Sequence, residues 1–467
     1  MIKKIAQFLK DKKIVILGFG LEGKSTYNFI RRHLPEIRLD VRYNKPNLEE
    51  EELYLNKDKN LTFITGDKYL EKLENYDIIL KSPGISFKNI DISKFEDKIT
   101  SQLELFLENN KSLCIGITGT KGKSTTSSLI YKIIEDQGRD VELLGNIGVP
   151  IFDEIEKIKE NTITVLEISS HALQYVNKSP NISILLNLFE EHLDHYKSFE
   201  EYGDAKFNIF KFQEENDIAI FNLDNESMAK KEYQYKKTDY AVTMNNNVNN
   251  ITENTVYLKD EYIWINDKKV YSIKENRKLK GNHNLNDIMF VLTISKILNL
   301  NLENTVKSIN DFNPLEHRLE YVGTFEDVEY YNDSIATIPE ATIESIKALE
   351  NVNTLIVGGN DRGVNQENLI GFLKLSLIEN ILCLPKTGEY IYEGLKESDK
   401  TVIEVANLKE AVDLAKQLTK KNTICLLSPA ASSYGYFKNF KERGNIFKKM
   451  VIGDSPNATK CRKRDIS

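Results

Sequence analysis

Residues 113–130 read LCIGITGTKGKSTTSSLI, and this stretch limits what the chain can fold into more than any other. An apolar run of strand length, Leu113 to Ile117, breaks into a turn holding Gly119 and Gly122. Leu129, Ile130, Ile133 and Ile134 then recur at helical spacing. A strand, a glycine turn and a helix in that order bring backbone N–H groups close to an anion at the positive end of a helix. Lys123 can reach a terminal phosphate, and the Ser124 hydroxyl can hold magnesium. The stretch departs from the strict GxxxxGK[ST] pattern, because Ile117 replaces the first glycine and Gly116 lies one residue early. The bland alternative is a strand-to-helix turn with an incidental Gly-Lys-Ser. The flanking strand and helix favour an ATP phosphate loop.

A chain of 467 residues exceeds what one hydrophobic core organises, so two or three domains are expected. With 28% charged and 40% hydrophobic residues the composition is that of a soluble globular protein. A net charge of −7, spread along the chain, argues against nucleic acid or an anionic membrane as the main partner. Cys114, Cys383 and Cys425 lie in apolar strand-like runs and Cys461 in a polar tail, with no CxxC or Cys/His cluster, which reads as reduced thiols. No run approaches transmembrane length and the start of the chain carries no secretory pattern, so a cytoplasmic location is expected.

Along the chain, strand-like and helical segments alternate. Ile14 to Leu17 leads into Gly18-Phe19-Gly20-Leu21-Glu22-Gly23, a GxGxxG at a strand-to-helix junction. Taken alone it is a weak nucleotide or diphosphate signal. Apolar runs at Leu61 to Thr65 and Asp77 to Leu80 follow, the second ending in Ser82-Pro83-Gly84. From about residue 93 a second unit carries strands at Thr162 to Leu166, Ile182 to Leu186 and Ile218 to Phe221, which implies a mainly parallel sheet. Between Tyr233 and Ile273, polar turns and short alternating segments suggest a small antiparallel insertion. After Asn313-Pro314 a third unit has strands at Val328 to Tyr331, Thr354 to Val357, Asn380 to Leu384 and Thr423 to Leu427. The chain from about residue 453 reads as a frayed tail.

Several polar clusters fall at presumed strand ends, where open α/β sheets gather ligands. Glu167, in Leu166-Glu167-Ile168-Ser169-Ser170, can ligate magnesium opposite the phosphate loop, although a strand-ending Glu alone is ordinary. Glu190-Glu191-His192-Leu193-Asp194-His195 reads as a helix-start cluster, and His192 is not explained by the helix dipole. Lys206, on an amphipathic helix, would by itself be a solvated residue. Asn284 opens another helix, and Arg318 follows the presumed joint, where it can clamp a phosphate. Asn332-Asp333-Ser334, Gly358 to Gly363 and Ser428 to Ser433 complete the set.

In this order the motifs resemble the Mur ligase family, and within it the MurD type, over nearly the whole chain. The pieces that carry the resemblance are TGTKGKST, GNIG at Gly145 to Gly148, LEISS, EHLDHY at Glu191 to Tyr196, HRLE at His317 to Glu320 and LLSPAASSYGYFKNFKERG at Leu426 to Gly444. The resemblance implies an α/β protein of three domains. These are a Rossmann-like UDP-sugar-binding domain (1–92), a central P-loop ATPase-type parallel-sheet domain (93–313) and a Rossmann-like glutamate-binding domain (314–467).

It further implies an ATP-dependent amide ligase that adds D-glutamate to UDP-N-acetylmuramoyl-L-alanine through an acyl phosphate, in peptidoglycan precursor synthesis. The enzyme would act as a monomer, without nucleic acid or membrane partners. Lys123, Glu167, His192 and Lys206 would be catalytic. Ser124, Glu167, His192 and Lys206 would hold two magnesium ions, Lys206 being carbamylated. Gly119, Thr120, Lys121, Gly122, Lys123, Ser124, Thr125, Asn284, Arg318 and Asp333 would bind ATP. Gly18, Gly20, Leu21, Gly23, Ser82 and Asn146 would take the nucleotide sugar, and Thr337, Arg362, Ser433 and Phe440 the glutamate. Ile335 departs from the family pattern NDSKATN, where lysine is usual, which keeps ligation of L-glutamate as an alternative. A folylpolyglutamate synthetase-like ligase and a nucleotide-gated binding protein without turnover are the others.

Overall fold

In the computed structural model the described residues are 1–44, 55, 57–145, 149–193, 195–229, 239–245, 254–265, 267–279, 281–349, 351–361 and 363–453. Three sheets organise them. The first contains β1 (Ile14–Leu17), β2 (Leu39–Tyr43), β3 (Leu61–Thr65), β4 (Ile78–Lys81) and β5 (Ile99–Thr100), all parallel, in the order β3-β2-β1-β4-β5. The strand β1, with sequence IVIL, is buried throughout, as a central strand covered on both faces should be. The helix Ile2–Leu9 packs Ile5 and Leu9 into the core, and the helix Leu21–His33 packs Phe29 and Ile30.

The second sheet contains β6 (Cys114–Thr118), β7 (Val141–Gly145), β8 (Ile163–Glu167), β9 (Ile182–Leu185), β10 (Ile218–Asn222), β11 (Tyr240–Thr243), β12 (Thr255–Lys259), β13 (Tyr262–Ile265) and β14 (Lys268–Ser272). Their order is β14-β13-β12-β11-β10-β9-β6-β8-β7. The small antiparallel insertion expected between residues 233 and 273 is present as β12–β14, but it is joined to the central sheet. β11 pairs parallel to β10 and β12 parallel to β11, while β13 pairs antiparallel to both β12 and β14, so this region prolongs the central sheet. Along β13, Ile263 and Ile265 are buried and Tyr262 and Trp264 are less so, which buries one face of that strand.

The third sheet contains β15 (Glu320–Phe325), β16 (Val328–Asn332), β17 (Val352–Gly359), β18 (Asn380–Lys386), β19 (Thr401–Glu404) and β20 (Ile424–Leu427), in the order β15-β16-β20-β17-β18-β19. Only β15 is antiparallel. Each face of this sheet carries its own apolar cluster under helices.

The first two sheets fall in one compact unit, Met1–Asn276 with Asn286–Asn310. The third belongs to another, Arg277–Leu285 with Asp311–Ser467. Within the first unit one core runs through both sheets, with the rings of Phe29 and Phe152 4.3 Å apart. Gln102 stitches the same seam: its amide donates to Glu22 O and Thr26 Oγ1 and accepts from Phe152 N. Among the described residues no helix is long and apolar enough to cross a membrane. Of the expected features, Asn146, Arg362 and the tail from residue 454 lie outside the described residues.

At the β1 turn, a Cβ on Gly23 would lie 2.1 Å from Gly18 O, whereas one on Gly20 would meet nothing within 4 Å. The third glycine of this motif is therefore a packing requirement. Gly23→Ala should cost about 1–3 kcal/mol and lower the thermal midpoint followed by circular dichroism, while Gly20→Ala leaves it nearly unchanged. Equal midpoints for the two variants would contradict this assignment.

Candidate active site

β6 is buried along its whole length and delivers the chain to Gly119 and Gly122, which take φ of 157° and 85°. The helix Lys123–Glu135 then starts at Gly122 with no side-chain cap, leaving its first amides directed at the loop. Lys123 folds back across the turn, its Nζ donating to Gly119 O (2.9 Å) and Thr120 O (3.1 Å). Ser124 and the buried Thr125 occupy the first helical turn. A Cβ on Gly122 would come within 2.6 Å of Asp287 Oδ1, so Asp287, on the helix Asn282–Ile297, packs closely on the loop.

The loop is held from the β9 side. Thr120 N donates to Asn187 O (3.0 Å). Asn187 also accepts from Lys121 N (2.8 Å) and donates to Lys121 O (3.1 Å). Thr120 Oγ1 shares a hydrogen bond with Tyr202 OH (2.9 Å) and accepts from Phe189 N (3.0 Å). Lys121 pairs with Glu191 at 2.8 Å. A strand-ending Asn followed by acids was visible in the sequence, but its partner lay 66 residues away.

Lys206 lies beneath this loop. It is 1% exposed, and its Nζ donates to Gly119 O (2.8 Å) and lies 3.4 Å from Thr118 Oγ1 and 5.0 Å from the centre of the Tyr202 ring. Burial, and then the charge of Lys123, hold its pKa well below the usual lysine value, with Glu191 and Glu167 opposing. The helix Phe199–Lys211 therefore turns Lys206 inward, against the solvated-face expectation for an isolated lysine.

Glu167 is the last residue of β8 and is buried, and Gly145 lets β7 approach its carbonyl. The His192 cluster is corrected from a helix start to a loop: among the described residues between β9 and Phe199 none is helical, and His192 has a φ of 60°. The His192 ring lies 4.7 Å from that of His171, which lies 4.1 Å from His195 and stacks on Tyr196. Burial and the neighbouring imidazoles push His171 down to about 3, so it is neutral. His171 was missed by sequence reading, its only signal being its place just after Ser169-Ser170.

The turns at the carboxyl ends of the first sheet's strands reach the same region. Ser82 Oγ donates to Gly18 O (3.1 Å), and Leu21 is exposed at the start of its helix. Ser86 Oγ donates to His195 O (3.0 Å), and Lys88 Nζ donates to Leu193 O. A buried lysine, Lys81, and the partly buried Glu22 line a small space shared with His171 and Tyr175. Burial moves Lys81 down to about 8 and Glu22 up to about 7. Neither was foreseen.

The second unit carries the remaining expected residues. Asn284 is buried in the first turn of its helix, and Arg318 precedes Leu319, whose N donates to Asp333 Oδ1 (3.2 Å). Asp333 Oδ2 accepts from Ser345 Oγ (2.6 Å) and Ser428 Oγ (2.9 Å), so both carboxylate oxygens are engaged within this unit. Burial raises the group to about 6. Ser334 Oγ donates to Phe440 O (2.8 Å), tying β16 to the helix Phe440–Ile452; Ser433 is buried and Thr337 half-buried.

Together Lys123, Glu167 and Lys206 form one electrostatic cluster, with His192 beside Glu191 at its rim. The oxygen donors Ser124 and Glu167 suit a hard cation such as magnesium. Among the described residues no group of three or more His, Cys, Asp or Glu side chains gathers as a metal site, so phosphate oxygens and water would complete the ion's shell. The buried, deprotonation-prone Lys206 amine fits carbamylation, which requires a neutral amine.

Three family profiles match in sequence order: "Mur ligase MurD-like, N-terminal domain" over residues 12–101, "Mur ligase middle domain" over 117–295 and "Mur ligase, glutamate ligase domain" over 317–431. A UDP-N-acetylmuramoylalanine--D-glutamate ligase from Clostridium tetani is 32% identical over 457 residues, covering 95% of this chain and 97% of the relative. One of the same name from Clostridium acetobutylicum is 32% identical over 461 residues, covering 96% and 98%. Among solved structures, the UDP-N-acetylmuramate-alanine ligase MurC of Thermotoga maritima superposes with a TM-score of 0.58 at 16% identity, covering 97% of this chain and all of that one. The MurF ligase of the same organism, in complex with ADP, gives 0.58 at 14%, covering 96% of each. The structural matches speak for the fold and the sequence relatives for the branch: the chain belongs to the Mur ligase family and is of the MurD type.

Proposed function

We propose that this chain joins D-glutamate to UDP-N-acetylmuramoyl-L-alanine at the expense of ATP, as a cytoplasmic monomer in peptidoglycan precursor synthesis. The observation that carries the proposal is Lys206, a lysine buried against the phosphate loop and hydrogen-bonded to Gly119 O. The division into 1–92, 93–313 and 314–467 belongs to the same reading. Gly18, Gly20, Leu21, Gly23 and Ser82, at the first sheet's edge, hold the nucleotide sugar together with Asn146. The hydrogen bonds from Ser86 and Lys88 to the 193–195 segment support a route from that edge to the phosphate loop.

In this reading the loop amides of residues 119–125 and Lys123 stabilise charge on the transferring phosphoryl group. Ser124, Glu167, His192 and a carbamylated Lys206 would hold magnesium at two sites, where it would supply charge neutralisation. Asn284, Arg318 and Asp333 orient the nucleotide, Asp333 mainly by fixing Leu319 beside Arg318. The substrate's alanine carboxylate attacks the γ-phosphorus of ATP, breaking its bond to the β,γ-bridging oxygen, so that ADP leaves and an acyl phosphate forms. The glutamate amine, placed by Thr337, Arg362, Ser433 and Phe440, then displaces phosphate from the acyl carbon.

Ile335 favours a second reading, ligation of L-glutamate, because an apolar side chain stands where the family pattern has lysine. With ATP, UDP-N-acetylmuramoyl-L-alanine and one glutamate enantiomer at a time, phosphate release is expected with D-glutamate. Release with the L form alone selects the second reading, and release with neither removes both. Lys206→Ala should lower kcat about 100-fold or more, with bicarbonate giving no recovery and short carboxylates partial recovery. The wild type in ¹³C-bicarbonate should show a carbamate carbon signal that the variant lacks. Full activity of the variant would take Lys206 out of the mechanism.

A further inference from the structure

The second unit contains a cavity of about 300 Å³ at the carboxyl ends of β17 and β18, within the size range of ligand pockets. Its walls are mostly apolar, supplied by Leu384, Leu408, Phe437, Ile446 and Met450. At one side lies Arg443, 1% exposed. Its Nε donates to Ser334 Oγ (3.0 Å), and its Nη2 donates to Ser334 O (2.9 Å) and Ala431 O (3.1 Å). Nη1 has no hydrogen-bond acceptor among the described residues. It lies beside Gly359, where an added Cβ would be 3.1 Å from it and would narrow the cavity.

A buried guanidinium with one edge facing an apolar space is costly unless an anion or water meets it. We propose that this cavity binds a small apolar carboxylate, its carboxylate accepting from Arg443 Nη1 and its hydrocarbon part packing against Leu408, Phe437, Ile446 and Met450. Two further features agree. The helix Leu408–Leu418 begins at the wall, where Asn407 and Leu408 line the cavity, so its positive end lies close by, shared with the Glu410 carboxylate that accepts from Ala406 N (2.7 Å). Burial lowers Arg443 to about 10, which still leaves it cationic at neutral pH. A carboxylate needs only the one guanidinium edge, and its hydrocarbon tail matches the apolar side chains that make up most of the wall, beside which Lys409, Ser432, Ser433 and Tyr436 also stand.

The inference does not depend on the assignment of glutamate to Ser433, although Ser433 also borders the cavity. It is tested on the full chain by calorimetric titration with sodium hexanoate, without nucleotide or nucleotide sugar. Saturable one-to-one binding is expected, with hexanamide about 10-fold or more weaker and inorganic phosphate giving no saturable heat. Met450→Trp, at a half-buried helix position, should fill the space, keep the thermal midpoint and weaken hexanoate about 10-fold or more. Absence of saturable hexanoate binding, equal affinity for hexanamide, unchanged binding in a folded Met450→Trp protein, or competitive displacement by D-glutamate would each overturn the proposal.

Discussion

The hydrogen bond from Lys206 Nζ to Gly119 O carries much of the structure's logic. A lysine amine removed from water is tolerated only where polar atoms meet it, and here those atoms belong to the end of β6 and the turn that follows. The same carbonyl accepts from Lys123, so two amines converge on one oxygen, and burial first, then the nearby Lys123 charge, lowers the pKa of the more buried one. Tyr202 covers Lys206 with its ring and holds Thr120 with its hydroxyl, while Asn187 clamps the turn from the neighbouring strand. The phosphate loop is thus shaped by groups contributed from β9 and the helix Phe199–Lys211 as much as by its own glycines.

The second unit solves a similar problem differently. Arg443, reaching back from the terminal helix, fastens the turn after β16 to the turn after β20. Asp333 sits behind it, bonded to Ser345, Ser428 and Leu319. The polar residues at the carboxyl ends of these strands are therefore largely committed to one another, which fixes the loops bearing Arg318, Thr337 and Ser433 before any ligand arrives. His317 is locked into the same arrangement by Gly444, since a Cβ there would come within 2.2 Å of its ring nitrogen.

The sequence made visible whatever depended on neighbours in the chain. The strand, glycine turn and helix around Lys123, the GxGxxG turn and the third-unit strands from Val328, Asn380 and Thr423 are local patterns, and the structure places them with shifts of a residue or two. Two readings fell short where local pattern was insufficient. The 190–195 segment carries acids that suit a helix start, yet its backbone carbonyls are held by tertiary contacts from Ser86 and Lys88. The short alternating segments of the Tyr233 to Ile273 region do pair antiparallel in β12–β14, but β10 offers a parallel edge that β11 takes, which joins them to the central sheet. Lys206, Lys81, Glu22 and His171 were beyond pattern altogether, because a charged residue's burial is decided by segments far away in sequence.

The central claim is that the phosphate loop serves to activate a carboxylate of the nucleotide sugar. It is tested most directly by running one turnover with the alanine carboxylate of UDP-N-acetylmuramoyl-L-alanine labelled with ¹⁸O and analysing the released phosphate by mass spectrometry. Formation of an acyl phosphate at this loop predicts one labelled oxygen in each phosphate produced from fully labelled substrate. Phosphate that carries no label while the amide product accumulates would contradict the account.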